Sequence, residues 1–230
     1  MEGCFFCDPE KDRILYTSKY FYVLLGLGPI IEGYVILVAR PHIRSMFDMP
    51  AEMREAYKQE KQHLQTIIND VYGPSIVTEH GRIQACTTED EEAHDLMCYH
   101  AHQLFFPKNI DLGDLSKEGP FEKVFEGAGL LEMHSSALQD DDEYLLYENS
   151  VGNTSVYKVR GKCPRQYLRY LVAYSIGQPE LASWQKHSRY DLIKDAKKKY
   201  VKYFPPSDVE NFSTHQSENT MNKFSTYCRV

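Results

Sequence analysis

The sequence predicts a chain of mixed strands and helices. Three observations lead there: two β-branched and aromatic runs punctuated by glycine and proline, one long segment of helical periodicity, and two further helical segments near the C-terminus. Residues 20–25 and 33–39 are the first two runs, and Gly26, Gly28, Pro29 and Gly33 between them mark the turn of an antiparallel hairpin. Across residues 50–72, Met53, Tyr57, Leu64, Ile67, Ile68 and Val71 recur at steps of three and four until Gly73 and Pro74 stop the pattern, which predicts a helix. Residues 75–78 and 98–106 read as two more strands, joined by a polar, acidic loop that includes residues 87–95. Glu79, His80 and Gly81 end the first of them. Residues 109–123 are mixed and turn-rich, and strand signals return at 144–147 and 154–159. Residues 164–176 follow helical spacing up to Gly177, residues 190–203 repeat the pattern, and the Ser/Thr/Asn-rich stretch 205–230 reads as a flexible tail.

With 230 residues, 42% hydrophobic and 26% charged, the chain can bury a core as one globular unit or one domain with an extension. The 26 Lys and Arg are outnumbered by 33 Asp and Glu, and no long basic run appears, so nonspecific binding to nucleic-acid backbone is not expected. A small phosphate-bearing ligand needs only a few local donors and stays open. The N-terminal stretch has early acidic residues and no apolar run long enough for a signal or a span, so a cytoplasmic protein without a membrane partner is expected. In that reducing compartment six cysteines are thiols or metal ligands before they are disulfides.

The most informative string runs from Tyr99 through His100, Ala101, His102, Gln103, Leu104, Phe105 and Phe106 to Pro107. Strand alternation puts His100 and His102 on one face, about 7 Å apart along the strand, so they can serve one site. By themselves two histidines in a strand are as much at home in packing as in chemistry. The motifs that precede them tip the balance: Glu32, Gly33, Tyr34, Val35, Ile36, Leu37 and Val38, then Pro41 and His42, then Glu79, His80 and Gly81. In that order, the set resembles the histidine-triad (HIT) superfamily, whose signature is His-x-His-x-His followed by apolar residues and often a proline. The resemblance covers residues 4–203, with Pro164, Arg165, Gln166, Tyr167, Leu168, Arg169, Gly177, Gln178, Pro179, Glu180 and Trp184 similar to the extension of some bacterial members.

The resemblance implies an α+β fold, a HIT-like antiparallel β-sheet flanked by helices with a C-terminal helical extension. Residues 1–107 would form the core with a zinc site and the histidine strand, residues 108–204 the extension packed on it, and residues 205–230 the tail. It also implies a nucleotide-processing enzyme, a nucleotidyl hydrolase or transferase acting at an α-phosphate through a covalent nucleotidyl-histidine. His102 holds the position of the nucleophile, a role suited to an imidazole that is neutral near pH 7. The third triad position is Leu104. That departure points to the competing reading, a catalytically degenerate nucleotide-binding or regulatory protein. Gln103 is a polar neighbour one step off, which only a bulge would turn inward.

Cys4 and Cys7, spaced Cys-x-x-Cys, occupy with His42 and His100 the positions through which several family members bind zinc. The resemblance therefore implies a closed, structural Zn²⁺ site of two thiolates and two imidazoles. The cysteine pair alone is equally compatible with redox chemistry or burial. Gly81 would let backbone approach a ligand, while Gln166 and Arg169, three apart on a helix, share one face and would offer an amide and a guanidinium to phosphate oxygens. Solvation explains that pair nearly as well, and His80 fits a turn as readily as a function. Phe5 or Phe6 would line a base pocket. The expected partner is a nucleotide or nucleotide conjugate, and many family members form a homodimer through their sheets, an edge that a C-terminal extension would cover.

Overall fold

The computed structural model describes residues 4–83 and 100–204. Eight strands make one antiparallel sheet in the order β1-β2-β3-β5-β4-β7-β8-β6. They are β1 (Ile14–Thr17), β2 (Phe21–Leu25), β3 (Val35–Ala39), β4 (Ile76–Gly81), β5 (His102–Phe106), β6 (Phe121–Gly127), β7 (Tyr144–Glu148) and β8 (Thr154–Val159). Three helices complete the fold: α1 (Ala51–Tyr72), α2 (Tyr167–Ser175) and α3 (Tyr190–Tyr200). None of the helices among the described residues is long and apolar enough to cross a membrane.

Side-chain alternation sorts the central strands between two layers. Phe21, Val23, Leu25, Val35, Leu37, Val77 and Phe105 point to one face, where Met53, Tyr57, Leu64 and Ile68 of α1 and Ile193, Ala196 and Tyr200 of α3 cover them. Tyr22, Leu24, Ile36, Val38, Ile76 and Phe106 point to the other, under Val172 and Ala173 of α2 and Leu181 beyond it. Because both faces are covered, β2 and β3 are buried at every residue, which explains why their sequences are continuous apolar runs rather than alternating ones. The expected antiparallel sheet with flanking helices and C-terminal helices is therefore present, although α2 and α3 lie on opposite faces.

The helix over 50–72 forms from Ala51 and stops at Gly73, whose φ of +96° with ψ of −167° belongs to glycine. Two strands escaped the pattern reading. The first, β1, has only four residues, and β6, inside and beyond the segment read as turn-rich, is a polar outer strand whose pairing with β8 is irregular between Lys123 and Phe125. An outer strand with one solvated face lacks the apolar signal that marks β3. The helix read at 164–176 begins at Tyr167, the one read at 190–203 ends at Tyr200, and the strand read from 98 begins at His102. The acidic loop around 87–95 and the tail at 205–230 lie outside the described residues.

α1 is tied to the later strands by charge as well as by packing. Lys61 pairs with Glu148 at the end of β7, and the same carboxylate accepts from Gln65 Nε2 at 2.8 Å and Thr154 Oγ1 at 2.7 Å. Both members are buried, so removal of one strands the other in a low-dielectric layer. Lys61→Ala is expected to lower the unfolding free energy by about 3–5 kcal/mol in urea titration. Replacing both charges with apolar residues of similar volume should restore most of that loss.

A candidate metal centre beside a strand histidine

Four predicted metal ligands from three parts of the chain meet at one end of the sheet. Cys4 and Cys7 sit on an N-terminal turn closed by the Cys7 N–H donating to the Cys4 carbonyl at 3.0 Å. His42 follows β3, and His100 precedes β5. Two backbone hydrogen bonds bring these histidine segments together beyond the formal strand ends: the Ala39 N–H donates to Ala101 O at 3.0 Å and the Ala101 N–H to Ile43 O at 2.7 Å. The ligand atoms of Cys4, Cys7, His42 and His100 all lie within 4.8 Å of one another.

The individual spacings can be compared with coordination chemistry. Sγ of Cys4 is 3.4 Å from His100 Nδ1, and Sγ of Cys7 is 3.2 Å from His42 Nδ1 and 3.6 Å from His100 Nδ1. A tetrahedral ion with metal–sulfur bonds of about 2.3 Å and metal–nitrogen bonds of about 2.0–2.1 Å sets its sulfur and nitrogen about 3.6 Å apart. His100 Nε2 donates to Ala39 O at 2.5 Å, which leaves Nδ1 as the lone-pair nitrogen facing the thiols. The donor set and its spacing fit a zinc-class ion. The hydrogen-bonded thiol of Cys4, followed by burial, pushes the Cys7 thiol upward, the cost of holding two sulfurs together without a neighbouring positive charge.

His102 stands two residues beyond His100 at the start of β5, opposite Val38 of β3. Its Nδ1 donates to the His100 carbonyl at 2.7 Å, so Nε2 carries the lone pair. Burial pushes the imidazole down to about 4 against the opposing pull of that backbone contact, keeping the ring neutral at pH 7. The Phe6 ring lies over it at 4.4 Å between centroids with a 33° tilt, so the N-terminal turn reaches both the cysteine cluster and His102.

The proposed substrate-binding residues fall elsewhere. Gln103 is fully buried on the opposite face, because β5 pairs with β3 in unbroken register and no bulge turns its side chain. Its amide accepts from Tyr57 Oη at 2.9 Å and donates to Glu79 at 3.0 Å. Arg169 spends its guanidinium on the backbone, donating to Gly28 O at 2.7 Å, Ala182 O at 3.1 Å and Leu181 O at 3.4 Å, over the Tyr34 ring. Gln166 at the head of α2 sets its amide between Ala182 O at 2.5 Å and Trp184 Nε1 at 3.2 Å. These two residues brace the turns under α2. At Gly81 a Cβ would meet the Tyr144 ring at 2.3 Å, so glycine is needed there for packing against β7.

A second polar cluster lies on the His102 face and was half legible in the sequence. His80 on β4 bonds through Nε2 to Glu143 at 2.5 Å, with Nδ1 3.4 Å from Arg165 O. The Cys163 thiol lies within 4.8 Å of this pair, pushed up to about 12 by burial and by Glu143, and so remains a neutral neighbour. Nothing in the local pattern around Glu143 marks it, since its partner is 63 residues earlier.

Once the geometry is fixed, comparison with known proteins adds the following. No family profile matches the sequence, and no curated protein matches it. Among solved structures the chain is similar to proteins described as histidine triad or HIT-like. One is a HIT-like protein involved in cell-cycle regulation from Bartonella henselae, at 14% identity over 41% of this chain and 66% of that one, with a TM-score of 0.31. A zinc-bound histidine triad family protein from Mycobacterium smegmatis matches at 18% identity over 46% and 74%, with a TM-score of 0.33. A hypothetical histidine triad nucleotide-binding protein from Sulfolobus tokodaii matches at 12% identity over 88% and 99%, with a TM-score of 0.36.

The network below Gln103 generates a pH prediction. Glu79 accepts from Met46 N and Tyr144 Oη, both at 2.7 Å, besides Gln103, yet burial pushes its carboxyl from 4.5 up to about 7. Between those values the unfolded chain has lost a proton that the folded chain keeps, so stability falls as pH rises through this window. The fall attributable to Glu79 is expected to reach about 3 kcal/mol by pH 7 and to be absent in Glu79→Gln, measured by urea unfolding at a series of pH values.

Proposed function

We propose that this chain is a cytoplasmic HIT-like nucleotide-processing enzyme in which His102 Nε2 attacks the α-phosphorus of a nucleotide or nucleotide conjugate. The observation that carries the reading is the bond from His102 Nδ1 to the carbonyl of His100, which leaves Nε2 unprotonated on a neutral ring. Attack forms an N–P bond and releases the group on the far side of phosphorus; water or another acceptor then breaks the N–P bond. The ordered motifs Gly33 and Tyr34, Pro41 and His42, Glu79 to Gly81, and His100 with His102 support the same reading. Hydrolysis and transfer differ only in that acceptor.

A structural zinc ion is proposed at Cys4, Cys7, His42 and His100. When bound it would supply the positive charge that stabilises two thiolates, leaving no coordination position for substrate. His100 would then be fixed at both ring nitrogens, by Ala39 O on one side and the cysteine cluster on the other. Its carbonyl is the group that sets the His102 tautomer. The zinc-site residues thus act on His102 through orientation. A second reading, a nucleotide-binding protein that has lost turnover, is favoured by Leu104 at the third triad position and by the Phe6 ring over His102.

Incubation with a panel of nucleotides and nucleotide sugars, followed by intact mass analysis, is expected to show an acid-labile, base-stable adduct that His102→Ala abolishes. Binding of several nucleotides without adduct or turnover would establish the second reading instead. For the metal, elemental analysis should give one zinc per chain that survives mild oxidant. Cys4→Ser should lose that zinc and at least about 5 °C of melting temperature together. Unchanged stability and metal content would remove the zinc assignment.

A further inference from the structure

Leu104 cannot hold a phosphate oxygen or protonate a leaving group, so a strand that carries His102 lacks half of what the displacement needs. The missing group need not come from the same strand. β4 pairs with β5 through Ile76 with Phe106, Val77 with Phe105 and Thr78 with Leu104. Two further steps in that antiparallel register set His80 opposite His102, and alternation gives both side chains the same face. Directly opposed residues on paired strands hold their Cβ atoms about 4.5–5.5 Å apart.

His80 is also built as a proton donor. Its side chain and that of Glu143 are only 8% and 15% exposed, and Nε2 meets the carboxylate at 2.5 Å. Its other nitrogen faces the Arg165 carbonyl at 3.4 Å, the looser of the two contacts. Both neighbours are acceptors, an arrangement that an imidazolium satisfies with one N–H each. Between this pair and Leu104, the Thr78 hydroxyl is fully buried without a hydrogen-bond partner, a polar atom left over on the same face.

We propose that His80, held by Glu143, supplies from β4 the acid that β5 lacks at position 104, and that the site therefore takes nucleotides whose leaving oxygen needs a proton. This rests on the reading of His102 as the nucleophile. As His102 Nε2 bonds to the α-phosphorus, the bond from phosphorus to the leaving oxygen breaks, and that oxygen takes a proton from the His80 nitrogen that faced Arg165. In the second half, the water that attacks phosphorus gives its proton back to His80 as the N–P bond breaks. Glu143 is a positioning residue that keeps the other nitrogen occupied throughout.

The experiment compares adduct formation on the full chain with the phenyl and the 4-nitrophenyl esters of the four common nucleoside 5′-monophosphates. Nitrophenolate departs without help, whereas phenolate gains from protonation. His80→Ala is expected to slow the phenyl esters by about 10²-fold or more while changing the 4-nitrophenyl esters less than about tenfold. Glu143→Gln should move the same ratio in the same direction by a smaller factor, and it carries the contrast should His80→Ala fail to fold. Equal loss for both esters, with wild-type adduct intact, overturns the role of His80 and leaves that of His102 standing. Failure of the wild-type protein to form an adduct with any of the esters removes both.

Discussion

The pairing of β3 with β5 is the constraint on which the rest of the site depends. Its hydrogen bonds run past the strand ends through Ala39, Ala101 and Ile43, and so deliver His42 and His100 to the same point. The same pairing fixes the parity of β5: His102 goes to one layer, Gln103 to the other. A slip of one residue would exchange them, putting an imidazole among the aliphatics of α1 and an amide against Phe6. Apolar residues on both sides of β3 and Phe105 make such a slip expensive.

Within this frame, orientation passes from the cysteine turn to the strand histidine by short contacts. Ala39 O selects the ring tautomer of His100, and His100 O selects that of His102. Each step is a carbonyl accepting from one ring nitrogen and thereby freeing the other. Phe6 links the two ends again, since its ring covers His102 and its carbonyl accepts from Tyr22 Oη at 2.7 Å. The N-terminal turn is therefore a wall of the histidine site as well as a holder of sulfur ligands.

Much of this was legible in the sequence because the signals were local. The hairpin, α1 and the histidine strand announce themselves by apolar runs, helical spacing and the His-x-His pair, and the four sulfur and nitrogen donors were found through ordered motifs. What escaped was set by distant neighbours. A weakly apolar outer strand such as β6 has no periodic mark, and Glu143 matters only because β7 pairs with β4. Arg169 and Gln166 share a helix face as their spacing requires, yet that face meets the carbonyls of Gly28 and Ala182. Spacing gives direction along an element; what lies in that direction is a tertiary fact.

The junction of β4 with β7 has a consequence for any shortened form of the protein. Five residue pairs from Val77 with Glu148 to Gly81 with Tyr144 join the first five strands to the last three. A fragment ending before residue 144 would bare the hydrogen-bonding edge of β4 and expose the apolar residues that Leu145 and Leu146 cover. Such a piece would seek another strand to replace the lost one and self-associate. The smallest workable version of this sheet therefore keeps β7, and with it the carboxylate that holds Lys61.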